Sequence, residues 1–143
     1  GLMLRPRDMA KIGYLYLNGG RWPASGTGRQ GRQIVSEEWV KESTKQQAPQ
    51  PDYGFPWWVP SFLRKIFLTP LFEHYQYGYQ WCLRPYRVRD RIFASYSAEG
   101  RGGQLIAVFP ELQMVAVFTG WNDNEFWKQH FDMLQRYILP AVR

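Results

Sequence analysis

The stretch that decides the architecture is Gln104–Thr119, QLIAVFPELQMVAVFT. Strands over Gln104–Phe109 and Gln113–Thr119, joined across Pro110-Glu111-Leu112, make a hairpin. Side chains alternate along a strand, so Leu105 and Phe109 face one way and Ile106 and Val108 the other. Met114 and Phe118 oppose Val115 and Val117 in the same manner. Neither strand has a polar face. Leaving one side in water would expose four large side chains, a loss of about 8 kcal/mol that rivals the stability of a whole domain. Both faces must therefore be covered, and strands of this kind belong in the centre of a sheet.

The terminal segment supplies one cover. Asn122-Asp123-Asn124 offers helix N-caps. Trp127, Phe131, Leu134, Ile138 and Ala141 then recur at spacings of four and three, an apolar stripe that Pro140 limits. His130 flanks this stripe and reads as a helix-surface or semi-buried residue. Near the other end, Pro6 suits the first position of a helix and Asp8 the positive end of its dipole. Met9, Ile12, Leu15 and Tyr16 continue that helix, and Asn18-Gly19-Gly20 stops it. Gly13 inside it costs about 1 kcal/mol relative to alanine, which a tight contact with another helix would explain.

A Gly/Ser/Arg-rich connection over 19–33 leads to a second helix capped by Ser36, with Val35 and Val40 spaced as a hydrophobic staple. Trp39, Val40 and Ser43 lie along one side of it. Further strands are predicted over Tyr77–Leu83 and Arg91–Ser97, with a polar turn about Arg84–Asp90. The order helix, helix, strands, helix makes an α+β domain: an antiparallel sheet with helices packed on both faces. Between these parts, 46–74 is the least regular stretch. Prolines at 49, 51, 56, 60 and 70 interrupt any long element, while Phe55, Trp57, Trp58, Phe62 and Phe67 crowd together.

Hydrophobic residues at 45% and aromatics at 17% exclude a disordered chain. The net charge of +6 permits an anionic partner, but the basic residues are scattered and no run of five occurs, so a solvated surface is the simpler reading. A lone cysteine, Cys82, excludes an internal disulfide and a cysteine-rich zinc site; between Trp81 and Leu83 it reads as a small buried hydrophobe. No stretch of 18 apolar residues is present.

Catalytic motifs are missing. No serine is followed three positions later by lysine: Ser25, Ser36, Ser43, Ser61, Ser95 and Ser97 precede Gly28, Trp39, Gln46, Arg64, Ala98 and Gly100 at that spacing. There is no Gly-x-Ser-x-Gly, and neither His74 nor His130 has an obvious serine partner. Metal-ligand spacings such as His-x-x-x-His are absent too, so no metal or other cofactor is expected. What stands out is Ser97-Ala98-Glu99-Gly100-Arg101-Gly102-Gly103-Gln104, which runs into the apolar strand. Three glycines in four positions let a backbone approach another group closely. The stretch reads either as a tight turn between two strands or as a substrate-facing edge with exposed N–H groups.

Five pieces in order carry a resemblance: GLMLRPRDMAKIGYLYLNGGRW (1–22), GRQIVSEEWVKEST (31–44), YGYQW (77–81), YSAEGRGGQLIAVFPELQMVAVFTG (96–120) and the terminal amphipathic helix. Together they resemble the C-terminal portion of the β-lactamase-related serine hydrolases. That family includes class C β-lactamases, penicillin-binding-protein-like peptidases and related esterases. The resemblance implies that 1–143 is the C-terminal part of a β-lactamase-like domain with an insertion at about 46–74. It also implies that the Ser-x-x-Lys and Tyr motifs lie upstream of Leu2–Gly20. No catalytic residue is then expected in this chain, which would be inactive alone. The family's third motif, Lys-Thr-Gly or His-Thr-Gly, falls on Ala98-Glu99-Gly100, where only the glycine matches, and the oxyanion N–H falls on Arg101. By this analogy Ala98, Glu99, Gly100, Arg101, Gly102, Gly103 and Gln104 form the substrate-binding and oxyanion stretch.

Loss of the cationic residue at the first motif position favours a small ester or amide over a carboxylate-bearing penicillin. The partners implied are the N-terminal part of the same protein or a second copy, and the compartment implied is the bacterial periplasm or cell envelope. A different reading is a non-catalytic binding module that uses the aromatic segment 55–68 against glycan, a membrane surface or protein. Nucleic-acid binding has no recognised motif behind it.

Overall fold

The computed structural model describes residues 3–24, 31–47, 76–100, 102–120 and 126–142. In chain order these form α1 (Pro6–Leu17), β1 (Arg21–Trp22), β2 (Arg32–Gln33), α2 (Glu37–Ser43), β3 (Gln76–Tyr77), β4 (Cys82–Val88), β5 (Arg91–Glu99), β6 (Leu105–Phe109) and β7 (Met114–Phe118). They end with α3 (Phe126–Met133), a π-helical turn (Leu134–Ile138) and α4 (Leu139–Ala141). The fold is α+β. Strands β3 to β7 pair antiparallel in chain order to make one five-stranded sheet, and β1 and β2 form a separate short ladder.

Helices cover both faces. On one side α1 brings Met9, Ile12 and Tyr16 onto Trp81, Ile106 and Val108. On the other, Leu134, Leu139 and Phe131 pack on Tyr86, Phe93, Leu105, Ala107 and Phe109. All five residues of β6 are buried. The hairpin is joined by a 3-10 turn over Pro110–Leu112. One expectation needs correction: β6 is central, but β7 ends the sheet among the described residues and its five side chains are half-buried. Both faces of β7 are packed, by α1 on one side and the C-terminal helical segment on the other, while its outer edge has no strand partner among the described residues.

In α1, Pro6 occupies the first turn and Asn18 caps the end. The close contact of Gly13 is with the sheet rather than with a helix, since a Cβ there would lie 2.5 Å from Val115 Cγ1 and 2.9 Å from Ile106 Cγ2. In α2 the Ser36 hydroxyl accepts from the Trp39 N–H at 3.1 Å. Val40 and Ser43 are buried, while Trp39 is 48% exposed and stacks parallel on Tyr79, with ring centroids 5.5 Å apart. The end of α2 is tied to β3 and the turn after it. The Gln47 N–H donates to Tyr77 O at 2.9 Å and the Tyr79 N–H to Ser43 O at 2.9 Å. The flanks of the Trp/Pro-rich stretch therefore meet, while 48–75 itself lies outside the described residues.

Two boundaries differ from expectation. The strand expected over Tyr77–Leu83 is broken at 78–81, where the Gly78 N–H donates to Trp81 O at 2.8 Å and Gln80 takes a positive φ of 65°. The turn expected over Arg84–Asp90 is instead strand as far as Val88, followed by a turn at Arg89-Asp90. Among the described residues β3 pairs only with Cys82 and Leu83, and none of them is an outer strand partner of Pro85, a setting in which a strand tolerates proline.

The C-terminal stripe is also reset. The N-caps expected at 122–124 and the Trp127 side chain lie outside the described residues. Beyond Met133 the helix widens into the π-helical turn just before Pro140, whose ring would crowd a tighter helix. Leu134 and Leu139, five apart, are then both buried at 0% and 1%, whereas Ala141 is exposed.

Candidate functional site

The ladder between β4 and β5 runs from Val88↔Arg91 to Cys82↔Ser97 and stops there. The ladder between β5 and β6 continues through Ala98↔Ile106 to Glu99↔Leu105. Ala98 and Glu99 are thus paired on the β6 side only, an open strand edge among the described residues. A glycine turn follows directly. The Gly100 N–H donates to Gln104 O at 2.8 Å and the Gly103 N–H to Gly100 O at 3.1 Å.

Gln104 binds this turn together with its side chain. Its Oε1 accepts from the Gly102 N–H at 3.1 Å, and its Nε2 donates to Gly120 O at 2.5 Å, just past β7. Gly103 has φ 86°, open to glycine at no steric cost, and a Cβ on Gly100 would lie 2.6 Å from Gln104 Oε1. The glycines make room for one carboxamide. Consequently the N–H groups of Gly100, Gly102 and Gly103 are all engaged within the turn. Arg101, to which the resemblance gives the oxyanion N–H, lies outside the described residues. A shallow depression of about 150 Å³ lies beside the turn, between Gly102 and Gly103, Thr119 and Gly120, and Gln129 and His130 of α3.

The open edge has two different sides. Ala98 points to the α1 side, beside Trp81 and Tyr96. Trp81 meets Tyr16 at 4.5 Å between centroids and Tyr96 edge-on at 5.2 Å. Burial, and secondarily the nearby Tyr16, push the Tyr96 hydroxyl up to about 12, so it is protonated at neutral pH.

Glu99 belongs to the α3 side, with Cys82, Arg84, Ser95 and Ser97, which the register places together. The Ser97 hydroxyl donates to Glu99 Oε1 at 3.0 Å. Burial raises the Glu99 carboxyl above its ordinary value, against the opposing pull of Arg84, Ser97 and Cys82. The Arg84 guanidinium lies 3.8 Å over the Phe131 ring. His130 is buried, at 6% exposure, deeper than the semi-buried position expected of it. Burial and then Arg84 hold its pKa down to about 4, so the imidazole is neutral at pH 7. Its Nε2 and the Tyr86 hydroxyl have no hydrogen-bond partner among the described residues.

Among the described residues, no serine hydroxyl is hydrogen-bonded to a lysine or histidine: Ser95 donates to Arg84 O and Ser97 to Glu99. No group of three or more His, Cys, Asp or Glu that could hold a metal occurs there, and no helix is long and apolar enough to cross a membrane.

The polar cluster under α3 was not foreseen from the sequence. Its signal is the alternation Cys82, Arg84, Tyr86 in β4 and Ser95, Ser97, Glu99 in β5, which share one face of the sheet, and it becomes visible only once β4 is known to run on through Pro85. No family model matches the chain, and no curated protein matches it.

Proposed function

We propose that the chain is the C-terminal part of a β-lactamase-like serine hydrolase of the esterase, amidase or peptidase type. It contributes the edge Ala98–Gln104 to an active site whose serine and lysine come from polypeptide outside residues 1–143. The observation that supports this reading best is the end of β5, where two residues have no partner on one side among the described residues, immediately before a turn built by Gln104. An extended substrate backbone or acyl group can lie along such an edge.

The reading assigns no nucleophile to the chain. In the complete site the serine oxygen adds to the substrate carbonyl as its proton passes to the lysine; the ester or amide bond then breaks, the alcohol or amine leaves with that proton, and an acyl-enzyme remains. Ala98 stands where the family has a cation, so the substrate class is a small ester or amide without a required carboxylate. The compartment that the resemblance implies for such an enzyme is the bacterial periplasm or cell envelope. The test is labelling with a fluorescent fluorophosphonate. The longer protein takes the label and this chain does not; labelling of the isolated chain would overturn the reading.

A second reading is a non-catalytic contact module for glycan, a membrane surface or protein. It is favoured by the exposed Trp39–Tyr79 stack, which lies next to the point where the flanks of 48–75 meet. Liposome and peptidoglycan pull-downs decide it, and failure to bind either one would remove it for those two surfaces.

A further inference from the structure

On the hydrolase reading, from which this inference proceeds, the geometry points to Gln104 as the positioning residue of the edge. Its carboxamide ties the connection between β5 and β6 to the end of β7, and through that tie it sets the rate of acyl transfer.

The turn closes with backbone bonds alone. The Gly100 N–H donates to Gln104 O at 2.8 Å and the Gly103 N–H to Gly100 O at 3.1 Å. The carboxamide comes in addition. Its Oε1 accepts from the Gly102 N–H at 3.1 Å, and its Nε2 donates to Gly120 O at 2.5 Å. Gly120 lies beyond β7, 16 residues further along the chain. A local turn does not need that second bond. Its effect is lateral, because it joins the connection after β5 to the strand on the other side of β6.

The base of this tie is firm. Gln104 directly precedes β6, which is buried at every position and pairs with both β5 and β7. The glycines serve the carboxamide in different ways. Gly100 yields space, since a Cβ there would lie 2.6 Å from Gln104 Oε1, and Gly102 supplies a donor. Gly100 and Gly102 therefore both donate to Gln104, one to its backbone and one to its side chain. Ala98 and Glu99 precede them directly and pair with Ile106 and Leu105.

Taking away the carboxamide leaves the backbone closure and removes the lateral tie. The fold survives and the edge relaxes. A misplacement of about 1 Å in a reacting site costs on the order of 100-fold in rate. The edge has to fit the acyl group most closely as the serine adds to it, so the loss falls on the maximal rate rather than on binding. Gln113 provides the contrast. Its Nε2 donates to Pro110 O at 2.9 Å, at the opposite end of the hairpin, where a carboxamide only stiffens a turn.

The experiment measures the rate of labelling of the longer protein by a fluorescent fluorophosphonate over a range of probe concentrations. Circular dichroism establishes that each variant is folded at the assay temperature. Gln104→Ala should lower the maximal rate roughly 10- to 100-fold and leave the half-saturating concentration nearly unchanged. Gln113→Ala should label as fast as the unaltered protein. Should Gln104→Ala fail to fold, Gln104→Glu carries the same expectation, because it keeps the acceptor for Gly102 and loses the donor to Gly120. A folded Gln104 variant that labels at the unaltered rate would overturn the inference and leave the hydrolase reading standing. Slowing through the half-saturating concentration alone, or equal slowing by Gln113→Ala, would overturn it too. An unaltered longer protein that takes no label would overturn the hydrolase reading, and this role of Gln104 with it.

Discussion

Gly13 of α1 and Val115 of β7 approach so closely that a methyl group on the glycine would stand 2.5 Å from Val115 Cγ1. This contact sets the depth at which α1 seats on the sheet, and α1 carries the Tyr16 ring that meets Trp81 beside the open end of β5.

Gly13→Ala pits two effects against each other. Alanine favours the helix by about 1 kcal/mol, while overpacking a tight contact costs roughly 1–3 kcal/mol. At 2.5 Å the second should win, because the methyl meets a β-branched side chain with little rotational freedom. Urea denaturation should show a lower midpoint for Gly13→Ala. Adding Val115→Ala should recover part of the loss, a coupling that independent sites would not show.

Gln104→Ala should open the glycine turn. It removes the acceptor of the Gly102 N–H and the donor to Gly120 O, a loss of about 1 kcal/mol for each bond. Hydrogen exchange at Gly102 should accelerate together with a fall in stability. Gln104→Glu keeps the acceptor and loses the donor, so the Gly102 amide should remain the better protected of the two variants. Equal exchange in Gln104→Ala and the unaltered chain would show that the turn holds without its carboxamide.

His130 should make the fold sensitive to mild acid. Its pKa is about 4 in the folded chain against 6.5 for the free side chain. Between these values the unfolded chain binds a proton that the folded chain refuses, so stability present above pH 6.5 is lost as pH falls towards 4. At ~1.4 kcal/mol for each pH unit, the contribution is at most about 3.5 kcal/mol. His130→Phe should flatten the stability profile across this window. A slope unchanged by the substitution would assign the sensitivity elsewhere.

Glu99 should act with the opposite sign. Its folded pKa is raised by burial, so ionisation is penalised in the fold, and stability is gained as pH falls through the folded value towards 4.5. Glu99→Gln should therefore be more stable than the unaltered chain at neutral pH, with an advantage that shrinks in acid. Thermal melts at pH 7 and pH 4 measure both ends. A variant destabilised more at pH 7 than at pH 4 would mean that the attraction of Arg84, rather than burial, governs the carboxylate.

The sequence by itself determined the elements that depend on neighbours along the chain. The start of α1 at Pro6, the cap at Ser36 and the hairpin at 104–119 follow from local backbone chemistry and alternation, and the two apolar faces of that hairpin required helices on both sides. Tertiary structure decided what depends on register and on the lateral order of strands. It ran β4 on through Pro85, gathered Arg84, Ser97 and Glu99 on one face, engaged three glycine N–H groups with Gln104 and its own turn, and put β7 at the end of the sheet among the described residues. The physical reason is that side-chain alternation specifies the two faces of a strand, whereas its edges carry the same N–H and C=O groups whatever the residue.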